Sequence, residues 1–322
     1  MKERFVKDFY EAEVGKNLRA FLMVKSSEIK LASNGKKYWD ATLVDNTGEL
    51  NCKKWDVTED WQELSMLKPT DIIKIGGEVR EYKGRVQISI TRWRISQSND
   101  NLNLGDFIQA APEPAIDMYE YIVGIAKNLN DKQLSNLCLD ILEEEKERIM
   151  YYPAAMTHHH AIQAGLLYHI KRMLDAGKAL CSVYTTLNYD LIATGVIVHD
   201  IQKLNEMMAN EMGVVSDYTF EGKLLGHIVM GIRDLDRRME RLGFDNEKST
   251  MIQHMVLSHH LEPEFGSPKK PMFPEAQILH YLDVMDANMF DMERKLIDAV
   301  PGTFTEKIFT VNNVQMYKPK ED

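Results

Sequence analysis

Leu191-Ile192-Ala193-Thr194-Gly195-Val196-Ile197-Val198-His199-Asp200 is a largely apolar run that ends in an imidazole and a carboxylate. A buried segment that delivers two such groups at one end places them where water cannot serve both. All ten histidines of the chain lie between residues 158 and 280, and none lies before that window. They arrive as His158-His159-His160, His169, His199, His227, His254, His259-His260 and His280, with Asp283 closing the set. Imidazole nitrogens and carboxylate oxygens suit Zn²⁺, Mn²⁺ or Fe²⁺, and several such groups buried side by side need a cation between them.

The sequence around this run reads as helical from Asp117 onward. Met118, Tyr121, Ile122 and Ile125 fit one helical face, and Leu134, Leu137, Cys138 and Ile141 fit another. A helix starting at Pro153 is expected to carry the first histidines, with Ile162, Leu166 and Ile170 inward and His169 near a buried edge. On such a helix His158, His159 and His160 cannot all point one way. A second helix carries His199-Asp200, with Lys203 three residues on and so on the same side. Gly222–Ile228 opens a third, Met251–His260 runs as a fourth, and Ala276–Met289 supplies a fifth with His280 and Asp283 at i,i+3 spacing. Helices that each contribute one or two ligands are how an all-α domain builds a metal site. For any single histidine the plainer reading is a core or capping ring satisfied by a backbone carbonyl.

Residues 1–95 read as strands. Leu18–Val24 is short and mixed, Tyr38–Val44 alternates, and Asp45-Asn46-Thr47-Gly48 is a hairpin turn leading into Glu49–Trp55. A short helical pattern over Glu59–Met66 separates these from Asp71–Val79 and Arg85–Ile90. Three strands, a helix and two strands is the OB-fold order. Alternation puts Trp39, Ala41, Leu43, Leu50, Cys52, Val86, Ile88 and Ile90 inward. Tyr38, Lys53, Trp55, Arg85 and Gln87 then face outward, a surface that could stack bases and contact phosphates of a single strand. The plainer alternative is that Tyr38 and Trp55 pack against the helix or the second domain.

Composition bounds the rest. At 322 residues the chain suggests two domains, and a 27% charged, 44% apolar make-up is that of an ordinary soluble protein. No apolar run approaches the length of a membrane span, and the charged N-terminus lacks a signal-peptide core. Three scattered cysteines are simplest as reduced thiols, so a cytoplasmic location is expected. Residues 1–95 hold 18 Lys/Arg against 15 Asp/Glu, a balance of +3, while the remainder carries −13. So modest a positive balance makes phosphate contacts weak and salt-sensitive. Polar residues 96–101 and the Pro112/Pro114 pair mark a connector.

The set His169, His199-Asp200 and Asp283 resembles the HD phosphohydrolase superfamily. The runs His159-His160-Ala161 before Gly165-Leu166-Leu167, Leu257-Ser258-His259-His260, and Gly266-Ser267-Pro268 leading to Pro274-Glu275-Ala276 are similar to YhaM-type 3′-5′ exoribonucleases. The resemblance spans nearly the whole chain. It implies a multidomain protein: an N-terminal all-β OB-fold barrel over 1–95, a linker over 96–116, an all-α HD-domain over 117–300 and a tail over 301–322. It further implies that His169, His199, Asp200 and Asp283 ligate one divalent ion, Asp200 being placed to bridge. His227, His259 and His260 match the extra histidines that hold a second ion in some relatives. Mn²⁺ is the first choice, with Co²⁺, Zn²⁺ or Fe²⁺ also fitting. Asp200, Lys203 and His160 are the expected catalytic residues, Lys203 and His160 at the substrate phosphate. Gln202 and Leu261 depart from the pattern, since glycine is common in relatives at both positions. No Gly-Tyr-Pro phrase follows the histidine pair, which counts against a cyclic-dinucleotide phosphodiesterase.

The activity so implied is metal-dependent 3′-5′ removal of nucleotides from single-stranded RNA, with single-stranded DNA open as a further substrate and nucleoside 5′-monophosphates as products. A homo-oligomer is left open, and no membrane partner is expected. Two rival readings remain at this point. One is an HD phosphohydrolase acting on a small nucleotide, favoured if Tyr38, Trp55 and Arg85 are buried. The other is a single-strand-binding accessory protein whose metal site is structural.

Overall fold

Alternating side chains build the first half as strands, and the computed structural model closes them into a barrel. Residues 2–82, 84–156 and 160–320 are described. A short helix α1 (Val6–Tyr10) precedes β1 (Asn17–Leu31), β2 (Lys37–Asp45), β3 (Gly48–Lys54), helix α2 (Trp61–Met66), β4 (Ile72–Tyr82) and β5 (Arg85–Ile95). The order around the barrel is β1-β2-β3-β5-β4, with β3 and β5 parallel through Asn51–Gln87 and Lys53–Ser89. β1 is twice the length its apolar residues suggest. Its first half, Asn17–Met23, pairs with β4, and a bulge between Val24 and Ser26 turns its second half onto β2. The inward set is as alternation predicts: Trp39, Leu43, Leu50, Cys52 and Ile88 are fully buried.

The polar stretch after residue 95 does not leave the barrel at once. Asp100 takes two hydrogen bonds from Arg94 at 2.8 and 2.6 Å, the carbonyl of Asp106 accepts from the backbone of Asn46, and Phe107 is buried. The chain accordingly divides into compact units Met1–Ala110 and Ala111–Asp322.

The second unit runs α3 (Ala115–Lys127), α4 (Lys132–Glu144), α5 (Lys146–Ile149), α6 (Gly165–Val183), α7 (Tyr189–Val198), α8 (Lys203–Glu206), a hairpin β6 (Met207–Ala209) and β7 (Val215–Tyr218), α9 (Phe220–Arg241), α10 (Asn246–Ser258) and α11 (Pro274–Asp298). Side chains that accept backbone N–H groups start several of them: Asp131 for α4, Asn188 for α7, Thr219 for α9 and Asp245 for α10. Leu166, Ile170, Ile192, Val196, Met255, Leu279 and Leu282 form a fully buried core between α6, α7, α10 and α11.

The helix expected from Pro153 begins only at Gly165. Ala154 N–H donates to the His160 carbonyl at 3.1 Å, and Ala164 takes a left-handed φ of 58° that no helix continues. The His160 carbonyl lies so close to the start of α6 that a Cβ at residue 165 would sit 2.0 Å from its oxygen, which is why glycine stands there. Residues 301–320, expected as a surface tail, fold back on themselves through bridges Phe304–Tyr317 and Ile308–Val314, with Ile308 buried.

Candidate metal centre and nucleic-acid face

Five histidine rings are held in the same sense. His199 caps the end of α7, and its Nδ1 donates to the carbonyl of Val196 at 2.8 Å; His259, past the end of α10, repeats this with Val256 at 2.7 Å. His260 Nδ1 donates to the carbonyl of Phe265 at 2.7 Å. His227 Nδ1 lies 3.1 Å from the carboxylate of Glu206, and His169 Nδ1 lies 2.7 Å from Asp286 Oδ2. Carbonyls and ionised carboxylates only accept, so each Nδ1 carries a proton and each ring turns its Nε2 edge the other way.

Those Nε2 atoms converge on two aspartates. His199 Nε2 is 3.4 Å from Asp200 Oδ2, while His227 and His259 Nε2 are 3.4 and 3.8 Å from Asp200 Oδ1. His169 Nε2 is 3.4 Å from Asp283 Oδ1 and 4.0 Å from Asp200 Oδ2. Ligand atoms of His169, His199 and Asp200 lie within 4.8 Å of one another, as do those of His227, His259 and His260. His199 Nε2, His227 Nε2, His259 Nε2 and Asp200 Oδ1 are buried with no hydrogen-bond partner among the described residues. Leaving one such group unsatisfied costs about 1–3 kcal/mol, so four facing one another fit a site shaped for cations.

Local chain geometry explains the convergence. Gly226 in α9 takes φ 69° and ψ 160°, a break that lets His227 N–H and Nδ1 both reach Glu206. Gly222 permits that approach, since a Cβ there would lie 2.2 Å from the Glu206 carbonyl. His280 donates from Nδ1 to the carbonyl of His259 at 2.7 Å and so steadies its backbone, while His254 accepts the N–H of Met272 at 3.0 Å. Leu261 turns away from the His259-His260 pair with φ 66°, a left-handed conformation that favours glycine. Gln202 has no such constraint: its φ is −76°, and its amide bridges Asp234 at 3.1 Å and Asn205 at 2.9 Å.

The electrostatics agree with the geometry. Burial alone would raise the Asp200 carboxyl, but the ammonium of Lys203, 2.7 Å from Oδ2, outweighs it and holds the carboxyl well below the usual range. Burial lowers His199 and His259, keeping both neutral. His169 is the exception. Burial works against its charge, but Asp283 and Asp286 outweigh it and push the ring up to about 9.

The structure brings together His169, His199, Asp200, His227, His259, His260, Asp283 and Lys203. It places His160 elsewhere. Instead of reaching toward a substrate phosphate, the His160 ring is fully buried, 2.7 Å from Asp286 and stacked on Phe290 at 4.0 Å. The turn before α6 aims it inward, whereas on a helix from Pro153 the three histidines would have pointed different ways. His158 and His159 lie outside the described residues. Sequence reasoning missed Asp286, Arg172 and Glu206. Asp286 could have been found at i+3 from Asp283, but nothing local singles out Glu206.

On the barrel, Tyr38 and Trp55 stack at 4.9 Å with an interplanar angle of 26°, and Lys53 Nζ lies 5.4 and 5.6 Å from their ring centres. Gln87 joins this face through a hydrogen bond to Asn51. Trp55 is 53% exposed, Arg85 is exposed, and Tyr38 is half-buried. The burial that would favour a small-nucleotide enzyme is therefore absent for Trp55 and Arg85.

Known proteins divide along the same line. A family model described as an OB-fold nucleic acid binding domain matches residues 22–96, and one described as an HD domain matches residues 166–288. Over 307 residues the chain is 38% identical to the 3'-5' exoribonuclease YhaM of Geobacillus sp. (strain WCH70), covering 95% of this chain and 93% of the relative. Among solved structures, a single-stranded-DNA-binding (SSB) domain from Synechococcus sp. is similar at 14% identity and TM-score 0.23, over 26% of this chain and 96% of the other. A replication protein A heterotrimer bound to single-stranded DNA is similar at 18% identity and TM-score 0.21, over 28% of this chain and 63% of the other. None of the described helices is long and apolar enough to cross a membrane.

Proposed function

Because the chain belongs to the YhaM-type family of 3′-5′ exoribonucleases, we propose that it removes nucleotides from the 3′ end of single-stranded RNA by metal-assisted hydrolysis at the His/Asp centre. Nucleoside 5′-monophosphates are the products in this reading, Mn²⁺ is the metal, and single-stranded DNA is a secondary substrate. The observation that carries it is the convergence of three buried, unmatched Nε2 atoms on Asp200.

His169, His199, Asp200 and Asp283 would hold one ion. Asp200, His227, His259 and His260 would hold a second, with Asp200 offering a different oxygen to each group. A divalent ion bound there supplies positive charge to the scissile phosphate and brings the pKa of a bound water toward neutrality. The chain's own residues do the rest. Val196, Val256, Phe265, Glu206 and Asp286 fix the ring orientations before any substrate arrives, so no reorganisation is needed at the moment of reaction. Lys203 is held charged by Asp200 despite its burial, and in the working site it neutralises a non-bridging phosphate oxygen. Tyr38 and Trp55 supply sequence-tolerant stacking for bases, and Lys53, Arg85 and Gln87 meet the backbone. Residues 1–95 serve as the nucleic-acid-binding domain and 117–300 as the hydrolytic one.

A 5′-labelled single-stranded RNA incubated with Mn²⁺ tests this directly. Wild type is expected to give a ladder that shortens from the 3′ end, and His199→Ala/Asp200→Ala is expected to leave the RNA intact. An RNA that wild type binds but does not shorten with Mn²⁺, Co²⁺ or Zn²⁺ would sink the reading.

A further inference from the structure

We propose that Asp286 is a positioning residue that fixes which nitrogen of His169 faces the metal, and that His160 and Arg172 exist to hold Asp286 in place. The proposal rests on the reading of His169 as a ligand.

His169 differs from its fellow ligands in one respect. His199 and His259 stand at helix ends, where a carbonyl three residues back is within reach of Nδ1. His169 sits inside α6, where backbone carbonyls are committed to the helix's own N–H groups. Its Nδ1 therefore needs an acceptor from elsewhere, and α11 provides it. Asp283 Oδ1 approaches the Nε2 edge of the ring at 3.4 Å, and Asp286, three residues on, takes the Nδ1 edge at 2.7 Å. One helix thus grips both edges of one imidazole.

Asp286 is itself fixed from three directions. Its Oδ2 also lies 2.7 Å from His160 Nε2, and its Oδ1 lies 2.5 Å from Arg172 Nε. Arg172 reaches Glu293 at 2.8 Å with another guanidinium nitrogen, tying α6 to α11 a second time. His160 is aimed by the turn ahead of α6 and by stacking on Phe290. All three groups present N–H donors, and an ionised carboxylate is the acceptor that can serve them together. An amide at this position offers one oxygen and turns two hydrogens toward donors. Without the carboxylate the ring is free to flip and present the wrong nitrogen.

The test is Zn²⁺ affinity, measured by competition with a chelating dye, in wild type and Asp286→Asn. The variant is expected to bind about 10–100-fold more weakly, the usual cost of losing such an outer partner. The chelated variant should melt below chelated wild type, because His169 and Arg172 lose an ionised partner, so the affinities are compared at a temperature where both proteins are folded. A variant affinity within about twofold of wild type would overturn the proposal. Should Asp286→Asn fail to fold, nitrogen-15 NMR of the Zn²⁺-loaded wild type decides instead. A proton on His169 Nδ1 supports the assignment, and a proton on Nε2 overturns it. Absence of any Zn²⁺ binding by wild type would take down the metal reading and this proposal together, whatever the outcome on RNA.

Discussion

The stacked pair on the barrel and the histidine centre among the helices are built on opposite principles. Trp55 is half exposed and its partners can be removed one at a time without stranding anything. His199, His259 and Asp200 are buried against one another, so each is the reason the others are tolerable. A surface of the first kind degrades in steps. A centre of the second kind fails as a unit.

The largest effect should come from the buried side. Asp200→Ala is expected to lower turnover on the order of 10³-fold, about 4 kcal/mol of barrier, while RNA affinity stays within a few-fold. Single-turnover cleavage beside equilibrium binding would show this, and parallel losses in both would erase the contrast. On the barrel, Trp55→Ala should weaken RNA binding by about 1–3 kcal/mol and leave turnover at saturating RNA unchanged. Lys53→Ala should reduce the slope of log affinity against log salt by about 1. Fluorescence anisotropy across a salt series measures both, and unchanged affinity in Trp55→Ala would remove this face from the binding site.

A pH series sharpens the buried side further. With metal removed by chelator, the His169 ring has a folded-state pKa of about 9, raised from its ordinary 6.5 by Asp283 and Asp286 against the effect of burial. Its contribution to stability is complete below pH 6.5 and is lost as the pH rises toward 9. The rings that burial pushes down act in the opposite sense below 6.5. The chelated protein should therefore lose thermal stability between pH 6.5 and 9, and Mn²⁺ should reverse the trend because binding displaces that proton. A chelated midpoint that is flat across this window would contradict the assignment of His169.

The smallest effect belongs to Leu261. Its left-handed φ of 66° costs about 1–2 kcal/mol for a branched side chain, partly offset by the extra freedom glycine has when unfolded. Leu261→Gly should stabilise the protein by less than about 1 kcal/mol in thermal unfolding. A clear destabilisation would mean the leucine side chain packs more than its backbone strains.

The two regions also differed in how far the sequence could be read. In the barrel a period of two is enforced by covalent geometry, so Trp39, Leu43, Leu50 and Ile88 declared themselves inward and Lys53 and Trp55 outward. Strand length was harder, because the bulge that extends β1 to Leu31 has no apolar signature. Among the helices, His169, His199, Asp200 and Asp283 were legible through motif resemblance, and the structure draws them together. Their supports were not. Glu206 meets His227 across 21 residues, and Asp286 meets His169 across 117.

The sequence by itself determined the class of each half and the chemical identity of the centre, since alternation, helical spacing and the choice of His and Asp are local properties of the chain. Only the tertiary structure decided which way His169 and His227 face, because an imidazole's orientation is set by whatever accepts its other proton and theirs come from distant segments. That decision moved His160 from the substrate to the back of His169 and put Asp286 into the site. Asp286 lies 117 residues from His169 and 126 from His160, and only folding brings it within 3 Å of both rings.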